Sequence, residues 1–326
     1  MPRHQALLDL LADGRTRSGE SLGGRLGISR AAVWKLVSRL RDLGVPVRSV
    51  PGSGYRLPSP VVLLDSVAIR GELPAELRAF IDNVAVELSV DSTNARLRAR
   101  SGRGLRRPTV LLAECQMAGE GRRGRTWHSA FGASLCMSVA WPCRELRGSL
   151  SGLSLVAGLA VARAVERVVG MSPGLKWPND LVHGDRKLGG ILLEVNGEPQ
   201  GPCCVIIGIG VNCDLGDGHA DIDIDQPWTD LCRMSGRSVD RNQLAAAVIE
   251  ALAARLPLFS EQGFAPFRPE WNRLDALAGR KALLSTGGDA HVGTVRGVDD
   301  AGALLFDNEN GISPWYSGEV SVRIAP

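Results

Sequence analysis

Gly119-Glu120-Gly121-Arg122-Arg123-Gly124-Arg125 packs three glycines and three arginines into seven residues, between an apolar run (Val110-Leu111-Leu112-Ala113) and Thr126-Trp127-His128. Glycine lets backbone N–H groups approach a ligand closely, and the guanidinium fork suits carboxylates and phosphates. Such a loop is either a cradle for an anion or a solvated turn. Which of the two, and which anion, must come from the residues around it.

The 326 residues have the length of two to three domains at ~100–200 residues each. An apolar share of 44% with 22% charged residues is that of a globular chain with a sizeable core. A net charge of +3 is too small for the whole surface to bind polyanions, so a nucleic-acid role needs a local patch. The first sixty residues are arginine-rich and Asp214 to Asp230 is acidic. Seven cysteines without a C-x-x-C pair indicate neither a disulfide framework nor a zinc site, and no metal-ligating set is assigned. The start, Met1-Pro2-Arg3-His4-Gln5, has no signal-peptide core. Leu153 to Ala162, the most apolar helical stretch, falls short of the ~20 residues of a membrane span. The expectation is a cytoplasmic protein with no membrane partner.

Working toward the N-terminus, Leu7, Leu8, Leu10 and Leu11 mark a short helix that ends near Gly14. Ser18 caps a second, with Leu22 and Leu26, that stops at Gly27. Ser29 caps a third, in which Val33, Leu36, Val37, Leu40 and Leu43 follow helical spacing up to Gly44. The Gly27-Ile28-Ser29 link is a helix-turn-helix spacing, and Val45 to Leu57 alternates across Pro51-Gly52-Ser53-Gly54 as a β-wing. The face opposite the apolar stripe carries Ser29, Arg30, Trp34, Lys35, Ser38, Arg39 and Arg41. These side chains suit phosphates and base edges if the helix lies in a DNA major groove, although a solvated basic face has the same pattern.

Pro58-Ser59-Pro60 is a stiff link. Beyond it, strands are predicted at Val84–Val90, Val110–Glu114, Ser134–Trp141, Lys187–Val195 and Val205–Val211, with helices at Ser151–Val169 and Arg241–Leu256. After Trp271, short strands at Lys281–Leu284, His291–Val298, Ala303–Phe306 and Val320–Ile324 suit a small SH3-like barrel. The reading is a multidomain α+β chain: a winged helix-turn-helix over 1–62, a mixed α/β domain over 70–268 and an SH3-like domain over 271–326.

Five further motifs lie in order around the loop. They are Ser92-Thr93-Asn94 with Gln116, Lys176-Trp177-Pro178-Asn179-Asp180, Arg186-Lys187-Leu188-Gly189-Gly190-Ile191-Leu192, Gly208-Ile209-Gly210-Val211-Asn212, and Ser317-Gly318-Glu319-Val320. Together they closely resemble the biotin–protein ligases. With the N-terminal segment, residues 5 to 324 resemble the bifunctional ligases that also repress the biotin operon. Gly208-Ile209-Gly210 is no dinucleotide fingerprint, because the third glycine and the following helix are missing.

The resemblance implies ATP-dependent activation of biotin as biotinyl-5′-AMP, with Mg²⁺ on the phosphates, and transfer to a lysine of a biotin carboxyl carrier protein. It implies Lys187 and Arg122 as the catalytic pair. Ser92, Thr93, Asn94, Gln116, Gly119, Glu120, Gly121, Arg122, Trp127 and Lys187 would bind biotin, and Arg125, Asn179, Asp180, Asn212 and Trp228 the adenylate. The alternative for Ser-Thr-Asn is a helix N-cap, which one of these residues can combine with binding, and the alternative for Lys187 is a solvated turn lysine, to which its context is opposed. Asp214 to Trp228 reads as a mobile lid. Biotinyl-5′-AMP would act as corepressor by favouring a homodimer. The family loop usually has arginine where this chain has Glu120, which is expected to weaken anion retention or to turn outward toward a neighbouring arginine. The rival readings are a lipoate ligase of the same fold and a ligand-sensing regulator with a weak or dead ligase domain.

Overall fold

The computed structural model describes residues 3–102, 104–143, 149–197, 201–216, 226–286, 289–317 and 321–324. At the N-terminus, α1 (Arg3–Leu11), α2 (Gly19–Leu26) and α3 (Arg30–Asp42) precede a two-stranded wing, β1 (Arg48–Val50) and β2 (Gly54–Arg56). The two serines cap as expected. Ser18 Oγ accepts from Ser21 N at 3.1 Å and Ser29 Oγ from Ala32 N at 3.2 Å, satisfying helix-end donors. Gly27, in the left-handed conformation at φ +64°, ends α2 and turns the chain into α3. Arg41 is diverted from the basic face. Its Nε donates to Val47 O at 2.9 Å and its Nη2 to Ser49 Oγ at 2.9 Å, tying α3 to the wing.

The link that follows is clamped. Leu64 N donates to Glu114 Oε1, Arg241 Nη2 to Val62 O at 2.8 Å, and Asn242 Nδ2 to Leu63 O at 3.1 Å. Arg241 and Glu114 form an ion pair at 2.7 Å, with side chains only 4% and 3% exposed. The winged-helix core of Leu7, Leu11, Val33, Val37 and Leu40 extends onto Cys115 and Phe131, which flank the Gly/Arg loop in sequence.

The central region begins with α4 (Ser66–Glu72) and α5 (Ala75–Phe80), then β3 (Asn83–Glu87), α6 (Thr93–Ser101) and β4 (Thr109–Ala113). The Gly/Arg loop forms a tiny hairpin, β5 (Gly119–Glu120) with β6 (Thr126–Trp127). Next come β7 (Ser134–Cys143), α7 (Leu150–Val169), β8 (Gly174–Lys176), β9 (Asp180–His183), β10 (Arg186–Gly197) and β11 (Cys203–Asn212). Helices α8 (Leu231–Ser235), α9 (Arg241–Gln262) and α10 (Arg268–Leu274) complete it. Seven strands make one sheet in the order β3-β4-β7-β11-β10-β9-β8, parallel at β3–β4 and antiparallel elsewhere. Helices α7 and α9 cover one face, where Val205, Ile207, Ile209 and Val211 point; α6 covers part of the other, over Ala140, Cys204 and Ile206.

Several elements depart from the sequence reading. β3 ends at Glu87, because Leu88 turns to pack against the winged-helix core and only Val90 resumes pairing, with Gln116. The β8–β9 hairpin has strands too short to show period-2 alternation. Helix α9 runs through Pro257 to Gln262, carried by burial of Leu252, Leu256 and Phe259. Although α9 is long and apolar enough to cross a membrane by composition, half of its most apolar window is buried within the fold, as in a core helix.

The last five strands are β12 (Lys281–Thr286), β13 (Asp289–Val298), β14 (Leu304–Asn308), β15 (Gly311–Trp315) and β16 (Ser321–Ile324). They form an antiparallel sheet, ordered β15-β14-β13-β12-β16, one strand more than the spacing suggested. Its inner residues Leu284, Val295, Phe306 and Val322 join the central core, and Trp177 Nε1 donates to Gly302 O at 3.2 Å across the junction. Val320 lies outside the described residues.

Candidate active site

A cleft of about 770 Å³ opens on the α6 face of the large sheet. Its floor is made of glycine. Gly190 of β10 pairs directly with Gly210 of β11, and Gly208 lies two residues on along the same face. A Cβ on Gly208 would collide with the Asn94 amide, and one on Gly210 would lie 2.5 Å from the Trp127 ring. The sheet is therefore thinned where the Asn94 and Trp127 side chains lean on it.

One end of the cleft is polar and neutral. The Ser92 hydroxyl caps α6, accepting from Ala95 N at 3.3 Å, as the N-cap reading expected, and Ser92 also lines the cleft. Thr93 donates from N and Oγ1 to Gln116 Oε1 at 2.8 and 3.0 Å. Ser138 Oγ sits 2.7 Å from Thr93 Oγ1 and 2.6 Å from Asn94 Oδ1. Asn94 Nδ2 donates to Glu194 Oε2 at 2.9 Å. Ser138 and Glu194 were missed by sequence reading. Their only signal was a polar residue inside an otherwise apolar stretch of strand sequence.

The other end is cationic. Arg122, Arg123, Arg125, Lys176, Lys187 and Arg323 line it, against the carboxylates of Glu120, Asp180 and Asp185. This excess favours a polyanion. Lys187 stands at the start of β10, where Lys187 N donates to Pro227 O and Thr229 N to Lys187 O, and its ammonium pairs with Asp180 at 2.8 Å. It is held by the fold and only 20% exposed, so the solvated-turn alternative does not describe it. Arg122 Nη1 donates to Asn179 Oδ1 at 3.2 Å and Nη2 to Ser317 O, and Asn179 is itself braced by donating to Ile191 O at 2.9 Å. Burial lowers the Arg122 pKa, with Arg123 adding to the drop. Lys176, not singled out from the sequence, has its pKa lowered chiefly by burial; Asp180 opposes this, while Lys187, Arg323 and Arg125 add to it. A second anion would relieve that repulsion.

The remaining expected residues are distributed as follows. Trp127, Gly121, Arg125, Asn179, Asp180, Asn212 and Trp228 all line the cleft. Gly119 lies behind the wall, its Cα facing Gln116 and the Trp127 carbonyl. Asn212 is buried and donates to Thr229 O at 3.0 Å, anchoring the chain that carries Trp228. The Trp228 ring packs on Ala130, Ala133 and Leu215 beneath the Arg233 guanidinium, 4.3 Å from its centroid. Residues 217–225 of the expected lid and 318–320 of the last motif lie outside the described residues. Glu120 is exposed at the rim, and no ion pair of its carboxylate is found among the described residues.

On the winged helix, Ser29, Arg30, Lys35 and Arg39 are exposed along α3, Trp34 is 59% exposed, and Ser38 is half-buried. Their apolar counterparts Val33, Val37 and Leu40 are fully buried, so α3 offers its basic side outward.

The profile of the Biotin/lipoate A/B protein ligase family matches residues 87–212, that of an HTH domain residues 3–56, and that of the Biotin protein ligase C terminal domain residues 281–323. Among curated proteins, the chain is 43% identical to the bifunctional ligase/repressor BirA of Salmonella typhimurium, covering 98% of this chain and 97% of that one. It is 41% identical to the Escherichia coli protein of the same name, at the same coverage. Among solved structures, the biotin protein ligase of Aquifex aeolicus, in complex with biotin and ATP, superposes with a TM-score of 0.64 at 28% identity, over 75% of this chain and 100% of that one. The motifs around the cleft, the winged helix and near full-length similarity converge: this chain belongs to the biotin protein ligase family, in its bifunctional ligase/repressor branch.

Proposed function

We propose that the protein joins biotin to ATP in this cleft, yielding biotinyl-5′-AMP and pyrophosphate, and then passes the biotinyl group to a lysine of a biotin carboxyl carrier protein. The observation that carries the reading is one cleft with a neutral hydrogen-bonding end, Thr93, Asn94 and Gln116, and a cationic end, Arg122 and Lys187. The first end suits the urea ring of biotin, the second its carboxylate and the nucleotide phosphates. Ser92, Gly119, Glu120, Gly121 and Trp127 complete the biotin site in this reading, and Arg125, Asn179, Asp180, Asn212 and Trp228 hold the adenylate.

In the first step a biotin carboxylate oxygen attacks the α-phosphorus and the bond to pyrophosphate breaks. Two like unit charges at 4 Å repel by ~4 kcal/mol at an effective dielectric near 20, so the reactants need fixed cations between them. Lys187 supplies one, with Asp180 keeping its ammonium aimed into the cleft. Arg122 supplies the other. In the second step the carrier amine attacks the acyl carbon, AMP leaves, and Arg122 holds the mixed anhydride until then. In this reading Mg²⁺ would enter with the ATP substrate and help neutralise its phosphates.

The adenylate then serves as corepressor. A homodimer would set two α3 helices on a two-fold operator, Ser29, Arg30, Trp34, Lys35, Ser38 and Arg39 meeting the DNA. The division into 1–62, 70–268 and 271–326 and a cytoplasmic location belong to the same reading. Incubation with biotin, Mg-ATP and a carrier domain should give a streptavidin-reactive carrier. An unmodified carrier would reject the ligase reading. Operator mobility shift that does not respond to biotin with ATP would reject the corepressor.

A further inference from the structure

The polar end of the cleft is a chain of hydrogen bonds whose direction is set from outside. Glu194 Oε2 and Leu192 O both take the Asn94 amide nitrogen, at 2.9 and 3.4 Å. A carboxylate and a carbonyl only accept, so Asn94 must turn its NH₂ to them and its Oδ1 to Ser138. At the far end, Thr93 N donates to Gln116 Oε1 at 2.8 Å, which fixes that oxygen as an acceptor too. Between these two acceptors stand two hydroxyls. Three oxygen–oxygen contacts result: Asn94 to Ser138 at 2.6 Å, Ser138 to Thr93 at 2.7 Å, and Thr93 to Gln116 at 3.0 Å. Ser138 and Thr93 bring one proton each. The chain is one hydrogen short. It is also buried, with Thr93 and Asn94 3% exposed and Ser138 fully enclosed.

We infer that Glu194 is a positioning residue that sets the polarity of the biotin pocket, leaving it in need of a hydrogen-bond donor from the ligand. A ring-urea N–H supplies that donor; a carbonyl, ether or thioether in its place does not. Arg98 Nη1 donates to Glu194 Oε1, which holds the carboxylate in place from the outer, half-exposed side of α6. The inference rests on the biotin reading of the cleft and adds how its selectivity arises.

The test is Glu194→Gln. Glutamine presents a donor as well as an acceptor, so Asn94 can flip, giving up its long 3.4 Å contact to Leu192 O, hand an N–H to Ser138 and supply the missing hydrogen within the protein. KM for biotin should rise about tenfold (1.4 kcal/mol) with kcat at saturating biotin within about threefold of the parent. KM for a biotin derivative methylated on the ring-urea nitrogens should stay within twofold, so discrimination between the two acids narrows. Glu194→Asp, which keeps an acceptor, should retain most of that discrimination. Calorimetric binding of both acids without ATP repeats the comparison without turnover. Equal loss for both acids, or an unchanged KM for biotin, overturns the inference while leaving the ligase reading intact. A parent that fails to adenylate biotin overturns both.

Discussion

Gly210 and Trp127 are in contact through the missing side chain of the glycine: a Cβ at 210 would stand 2.5 Å from the indole, well inside van der Waals contact. The position of the cleft wall is thus decided by an absent methyl group on the neighbouring strand. Gly210→Ala should push Trp127 out of line, cost about 1–3 kcal/mol by overpacking, and raise KM for biotin more than it lowers kcat. Steady-state kinetics with a thermal melt checks both, and unchanged kinetics would remove Trp127 from the pocket wall.

Lys187 is the sharper test of chemistry. Removing a preorganised charge aimed at developing negative charge typically costs 10²–10³-fold in rate. Lys187→Ala should lose about that much in biotin-dependent pyrophosphate exchange while keeping the parental melting temperature within a few degrees. Asp180→Asn, which frees the ammonium from its 2.8 Å partner, should have a smaller effect in the same direction.

The buried pair Glu114–Arg241 fastens the link to the winged helix. Arg241 also donates to Val62 O and Ser134 O, so Arg241→Met strands a buried carboxylate and frees the link. A loss of about 3–5 kcal/mol is expected, with partial recovery in the Glu114→Gln/Arg241→Met double variant. Denaturant midpoints of the three proteins decide it. A single variant as stable as the parent would contradict the pairing.

Asp275 joins the central region to the last sheet, and burial pushes its carboxyl up to about 6, against two backbone N–H groups that pull it down. Below pH 4 it is protonated in both the folded and unfolded chain, and burial adds no charge cost. As pH rises from 4 to 6 the unfolded chain ionises first, so this group's contribution to stability falls, by on the order of 2–3 kcal/mol at neutral pH. Asp275→Asn should therefore gain stability relative to the parent as pH goes from 4 to 7. Parallel melting curves across that range would refute the assignment.

On the winged helix, Lys35→Ala and Arg39→Ala should each weaken binding to operator and unrelated DNA alike and flatten the log K against log salt slope by about one. Trp34→Ala, at an exposed apolar side chain, should leave that slope unchanged. Filter binding across a salt series separates the two behaviours.

Much of this molecule was legible one residue at a time. The Ser18 and Ser29 caps, the left-handed Gly27, the apolar stripe of α3 and the apolar runs of β10 and β11 depend on neighbours a few positions away, where periodicity and turn chemistry operate. The ordered motifs around Gly119–Arg125 likewise pointed to Lys187, Arg122 and the Ser-Thr-Asn set. Glu120 stood out from the same line of text, and the fold adds that it lies exposed on the rim.

What only the tertiary structure decided are the partnerships between distant positions. Asn94 and Glu194 are 100 residues apart, and Asp65 and Asn242 are 177 apart. No local pattern encodes such a pair, because strand register and helix packing choose which side chains meet. The glycines of β10 and β11 are the plainest case. In the sequence, Gly208 and Gly210 read as part of one ordered motif that is no dinucleotide fingerprint. In the sheet they are the floor on which Asn94 and Trp127 rest, because the register lays Gly190 beside Gly210 on a face that α6 leaves open.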